Sequence, residues 1–310
     1  MSESVVATAE PTPEVLAAPH PVAQLRRRVL VTGAAGMLGS DLVPVLAGAG
    51  FEVFARPHSD LDITDEEQVR GAFRQLHPET VINCAAFTNV DACESDRRAF
   101  AVNVRGVELL AGQCRLHSAQ LVQISTDYVF DGQKVAPYVE EDPTGPVSVY
   151  GRSKREAEEA ALAFATALVV RSSWLFGRGG WNFVEAILKQ VEGGSRKLSV
   201  VNDQRGSPTA ATDLAEAIVA LLLSGAVGIY HFTNRGEVTW FDFAREILVL
   251  SGHRGIEVEP IDSVSLGRPA RRPAHSVLDT SKYGRLTGRA IRHFREPLVE
   301  YLAARARPEA

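Results

Sequence analysis

The chain has 310 residues, 45% of them hydrophobic and 23% charged, which is enough apolar material for one large domain or two modest ones. A formal net charge of -5 supplies no basic footprint, so nucleic acid is not an expected partner. Cys84, Cys93 and Cys114 lack metal-ligand spacing and fit the reduced thiols of a cytoplasmic protein, and no apolar run is long enough to make a membrane an expected partner.

Residues 1–27 begin acidic and are interrupted by Pro11, Pro13, Pro19 and Pro21. They are expected to form a mobile leader rather than a signal peptide. "RVLVTG", from Arg28, is a short apolar run ending in glycine, the pattern of a buried strand. "GMLGSDLVPVLAGAG" follows with helical spacing and stops at Gly50. "FEVFA" predicts a second strand, "DEEQVRGAFRQLH" a second helix and "TVINCAA" a third strand. A long helix is expected over "CESDRRAFAVNVRGVELLAGQCRLHS", then a fourth strand and turn in "QLVQISTDYVF". A helix bearing Tyr150 follows, and "ALVVRSSWLFG" predicts a fifth strand. Strands alternating with helices imply an α/β fold, a Rossmann-type doubly wound parallel sheet.

Beyond Phe176 the pattern loosens, although "TDLAEAIVALLLSG" is a clear helix and "GIYHFTN" a clear strand. The expected division is a dinucleotide-binding domain over 28–175, rejoined by 210–232. A smaller C-terminal substrate-binding lobe would comprise 176–209 and 233–310. The tail "RARPEA" is expected to fray.

Two constellations carry chemistry. "VLVTGAAGMLG" places Gly33, Gly36 and Gly39 between the first strand and the first helix. A sharp turn, close backbone approach and free helix N–H groups together suit a pyrophosphate; by itself the motif also fits a plain tight turn. At the end of the second strand stands Arg56 rather than an acidic residue. A guanidinium can pair with a 2′-phosphate, which favours NADPH, with NADH as the alternative cofactor. Arg56 as a solvated loop charge is the competing reading.

Tyr150 and Lys154 have the i, i+4 spacing of one helix face. A free Tyr titrates near ~10, and a neighbouring ammonium or a cationic nicotinamide would lower that value toward the working pH of a general acid. "ISTDYVFDG" supplies Ser125 and Thr126 at the carboxyl end of the fourth strand, where open parallel sheets bind ligands. Thr126 is the candidate for holding a carbonyl oxygen.

The glycine spacing resembles that of the extended short-chain dehydrogenase/reductase superfamily. Within it, the chain from about Arg28 to about Tyr301 resembles the dTDP-4-dehydrorhamnose reductase family. The resemblance is carried by "VTGAAGMLG", "LDITD", "VINCAAFTNVDACE", "AFAVNVRG", "ISTDYVFDG", "YGRSKREAE", "RSSWLFG", "NFV", "DQRGSPT" and "RPARRPAHSVLDTSK", the last two being the most specific. It implies reduction of the C4 ketone of dTDP-4-dehydro-β-L-rhamnose, with Tyr150 as proton donor, Lys154 on the nicotinamide ribose and Thr126 orienting the carbonyl. It places Gly33, Ala35, Gly36, Met37, Leu38, Gly39, Arg56, Asp62, Ile63, Ala85, Ala86 and Thr88 about the dinucleotide. It places Thr88, Thr126, Asp127, Trp174 and Arg205 about the nucleotide-sugar substrate. Arg268, Arg271 and Arg272 suit a diphosphate by charge. A monomer or homodimer is expected. Asp41, Asp213 and Glu296 align with carboxylates that hold magnesium between subunits of some relatives; two are Asp, with shorter reach, and no metal is expected. The competing readings are another nucleotide-sugar reductase or epimerase on the same scaffold, and a non-catalytic protein resembling the methionine adenosyltransferase regulatory subunit.

Overall fold

The computed structural model describes residues 28–306, so the leader at 1–27 and residues 307–310 lie outside the described residues. The central strands are β1 (Arg28–Thr32), β2 (Glu52–Arg56), β3 (Thr80–Asn83), β4 (Gln120–Thr126) and β5 (Leu168–Ser172). With Gly228–His231 they form one sheet in the order Gly228–His231, β5, β4, β3, β1, β2, and every pairing is parallel. The chain reverses its direction of progress across the sheet between β1 and β3. That leaves a crevice at their carboxyl ends, the usual ligand position in an open parallel sheet.

The pleat sends neighbouring residues to opposite faces. Val29 and Val31 join Leu42, Leu46, Ile218 and Leu221 under the helices Met37–Gly48 and Ala211–Leu223. Leu30 joins Phe73, Leu110, Leu121 and Ala157 under the helices Glu66–Leu76, Gly106–Leu116 and Val149–Leu162. Both faces are covered, which explains why the strands read as continuous apolar runs. Local capping sets the helix starts: the Asp65 carboxylate accepts from the N–H groups of Glu67 and Gln68, and Ser148 Oγ accepts from Gly151 N at 3.1 Å to open the helix that carries Tyr150.

Two elements depart from the sequence expectation. The long helix expected over 93–118 is interrupted: Ala92–Glu94 is a 3-10 turn, Ala101–Arg105 a π turn, and regular helix runs over Gly106–Leu116. The wide turn carries the buried Asn103 inward, where its side chain bonds the Phe87 backbone; π turns commonly serve such local demands. The fifth strand stops at Ser172, because Trp174 adopts a left-handed φ of 48°. Leu175–Phe176 pairs instead with Thr209–Ala210.

A separate apolar cluster lies in the C-terminal half, formed by Phe176, Ile187, Leu188, Leu198, Phe243, Ile247, Phe294 and Leu298. Beside it Lys197–Val201 pairs in parallel with Glu257–Ile261. The expected fraying does not extend to Arg305, which ends the helix Arg295–Arg305 and pairs with Glu185 at 3.0 Å and Glu192 at 2.7 Å. Among the described residues no helix is long and apolar enough to cross a membrane.

Candidate active site

The glycine turn leaves β1 at the crevice. Gly33 has φ +63°, and a Cβ there would lie 2.6 Å from Ala85 N on the segment leaving β3. A Cβ on Gly39 would lie 2.5 Å from Gly33 O. Two neighbouring strand ends are thus brought into backbone contact, and only glycine permits it. Gly36 caps the first helix without any side-chain bond, and no acidic residue occupies the first turn over Met37–Gly39. Helix N–H groups and positive dipole face outward there, which suits a pyrophosphate. Ala35 lies within the same turn. These residues fit a dinucleotide.

Arg56 ends β2 in register with Thr32; its backbone carbonyl accepts from Ala34 N at 3.2 Å, and its half-buried guanidinium donates to Ala55 O at 3.2 Å. It therefore stands beside the turn. Asp62 Oδ1 accepts from both the N–H and hydroxyl of Thr64, while Ile63 is buried against Gly106. Ala85, Ala86 and Thr88 follow β3, where Asn83 Oδ1 accepts from Ala85 N at 3.2 Å and Asn103 holds Phe87. Asn103 also donates to Ser153 Oγ, which in turn donates to Tyr150 O at 2.8 Å. The cofactor-side loop and the Tyr150 helix are tied through one amide, a role the sequence reading missed; an isolated Asn within an apolar helical pattern was its only signal.

The helix Val149–Leu162, which bears Tyr150 and Lys154, packs against β4, whose last residue is Thr126. The Tyr150 ring meets that of Tyr128, two residues past Thr126, edge-on at 5.8 Å. Lys154 Nζ donates to Ile124 O at 2.7 Å. Burial pushes the Lys154 ammonium down to about 8, against the opposing pull of Glu158 and Cys84. Burial, followed by the Asp127 carboxylate, pushes the Tyr150 phenol above its ordinary value. The expected lowering by Lys154 is therefore not what the protein groups produce: desolvation of the phenolate dominates. A phenol, a hydroxyl and a buried amine are thus carried by the end of β4 and the helix packed on it.

The RmlD substrate binding domain family matches residues 27–307. The chain belongs to that family. A dTDP-4-dehydrorhamnose reductase of Streptomyces griseus is 45% identical over 287 residues, which is 90% of this chain and 94% of that protein. A Streptomyces niveus protein named dTDP-4-keto-6-deoxy-D-glucose reductase is 41% identical, over 88% of this chain and 96% of its own. A crystal structure of dTDP-4-dehydrorhamnose reductase from Bacillus anthracis in complex with NADP matches with a TM-score of 0.85 at 34% identity, covering 90% of this chain and 99% of that one.

In this member of the RmlD family the remaining candidates are held by contacts of their own. Asp127 is buried, with Oδ1 accepting from Thr126 at 3.0 Å and Oδ2 from Ser276 at 2.5 Å. Trp174 stacks face to face on Trp240, centroids 3.4 Å apart, and lies against Gly206, where a Cβ would meet its ring at 2.4 Å. Trp240 escaped the sequence reading because an aromatic residue opening a helix also fits a core position. Arg205 pairs with Glu237 at 3.4 Å. Of the three arginines near the C-terminal prolines, Arg268 and Arg272 pair with Asp91, while Arg271 is exposed. Asp213, one of the positions aligned with magnesium ligands, has both oxygens bound by Arg292, and Glu296 caps the N–H of His293. Among the described residues no group of three potential ligands could hold a metal ion.

Proposed function

We propose that the chain reduces the C4 ketone of dTDP-4-dehydro-β-L-rhamnose to dTDP-L-rhamnose, with NADPH as cofactor. The reaction and cofactor follow the family and its named reductases. The observation that supports carrying the reading to this chain is the seating of the Tyr150–Lys154 helix on the end of β4, with the Tyr150 ring edge-on to Tyr128 and Lys154 Nζ donating to Ile124 O. The dinucleotide supplies a hydride to the ketone carbon. Tyr150 then protonates the new alkoxide and is left as the phenolate, and Lys154 holds the nicotinamide ribose. Thr126 orients the carbonyl by hydrogen bond. Gly33, Gly36 and Gly39 hold the pyrophosphate, and Arg56 pairs with the 2′-phosphate. Residues 28–175 and 210–232 would serve the dinucleotide, while 176–209 and 233–310 would serve the substrate.

The test follows nicotinamide absorbance with purified protein, NADPH and dTDP-4-dehydro-L-rhamnose, the product being identified by mass and sugar analysis. Oxidation that yields dTDP-L-rhamnose supports the assignment. The Streptomyces niveus relative makes dTDP-4-keto-6-deoxy-D-glucose the competitor to run in parallel, and a higher kcat/KM on that sugar would replace the assignment. Cofactor binding without turnover of either sugar would favour a regulatory protein.

A further inference from the structure

Asp91 joins the loop after β3 to the segment that carries Arg268 and Arg272. It lies in the loop after β3, immediately before the turn Ala92–Glu94. Its Oδ2 accepts from Arg268 at 3.1 Å and Arg272 at 2.9 Å, and its Oδ1 accepts from Ala270 N at 3.2 Å. Arg272 is nearly buried, and its charge and that of Arg268 act on the Tyr128 phenol; the Tyr128 ring in turn packs edge-on against Tyr150. The clasp is thus one aromatic ring away from the proton donor. Glu94 in the same segment accepts from Val149 N at 2.9 Å, at the start of the catalytic helix.

One carboxylate between two guanidiniums leaves the cluster positive, and exposed Arg271 adds to that charge. Each guanidinium carries five donors. Arg268 uses one on Asp91, and Arg272 uses others on Asp91 and Ala270 O. Donors remain for an anion, on side chains whose directions are already set. We propose that Asp91 is a positioning residue for substrate, preorganising Arg268 and Arg272 for the diphosphate of the nucleotide sugar. This rests on the nucleotide-sugar reading above. A carboxylate that merely sequestered the arginines would act with the opposite sign.

The test is calorimetric binding of dTDP alone to the intact wild type and Asp91→Asn, with steady-state kinetics and a thermal melt. The dTDP Kd and the keto-sugar KM are expected to rise about tenfold, while kcat falls far less and NADPH affinity holds, because only preorganisation is lost. Asp91→Glu, which keeps the charge, is expected to recover most of the affinity. Equal or tighter dTDP binding by folded Asp91→Asn overturns the proposal. If that variant melts early, Arg268→Met on the exposed side of the clasp replaces it, and unchanged dTDP affinity there also overturns the proposal. A wild type that binds no dTDP removes the nucleotide-sugar reading and this proposal together. A wild type that binds and turns over, beside an unaffected Asp91→Asn, removes this proposal alone.

Discussion

Ser276 Oγ donates to Asp127 Oδ2 at 2.5 Å, fastening the C-terminal segment to the strand end that carries Thr126. Burial outweighs this bond and the one from Thr126, and pushes the Asp127 carboxyl from 3.8 up to about 7. A carboxyl whose folded pKa is raised binds protons more tightly in the folded state. Its stabilising contribution is full below about pH 3.8 and is lost as pH rises through about 7. Thermal melts of wild type and Asp127→Asn should therefore show a wild-type Tm advantage that shrinks between those two values and is flat above them. A difference independent of pH would show that Asp127 stays ionised.

Tyr150 is assigned the proton. Tyr150→Phe should lower kcat by a factor on the order of 10²–10⁴ and leave NADPH binding, read by fluorescence titration, nearly unchanged. Turnover within a few-fold of wild type would exclude the phenol as the acid.

Burial brings Lys154 down to about 8, so its charge is lost as pH passes that value. The kcat/KM profile should then have an alkaline limb with an inflection near about 8. Lys154→Arg, which stays charged, should move that limb upward. A profile flat through this region would falsify a role for the Lys154 charge.

Arg56 stands at the end of β2 in register with Thr32, and its guanidinium donates to the neighbouring Ala55 O. Arg56→Asp should reduce the NADPH-to-NADH ratio of kcat/KM by about tenfold or more, because a charge-assisted pair with the 2′-phosphate becomes a repulsion. An unaltered ratio would make Arg56 a bystander.

Glu158 and Arg171 form a buried bidentate pair at 2.9 and 2.7 Å, and Ser125 Oγ donates to the same carboxylate at 2.5 Å. Glu158→Ala leaves the buried guanidinium of Arg171, on β5, without its carboxylate and should cost about 3–5 kcal/mol in urea unfolding. Because Ser125 adjoins Thr126, kcat should fall as well. A loss below about 1 kcal/mol would indicate that the strands relax around the vacated site.

The alternation of apolar runs with helical spacing was sufficient, from the sequence, for a doubly wound sheet, since strands buried on both faces must be apolar throughout. The glycine spacing and the Tyr150–Lys154 interval were equally legible, because a turn and a helix are local structures. What the chain could not disclose were its long-range relations. The approach of Gly33 to Ala85 depends on β3 pairing with β1. The inward turn of Asn103 depends on a π turn that no periodicity announces. Trp174 meets Trp240, and Asp91 meets Arg268 and Arg272, across loops whose course is set by tertiary packing. The direction of the Tyr150 shift was likewise decided in the fold: the interval to Lys154 is sequence, but desolvation is a property of the assembled surroundings.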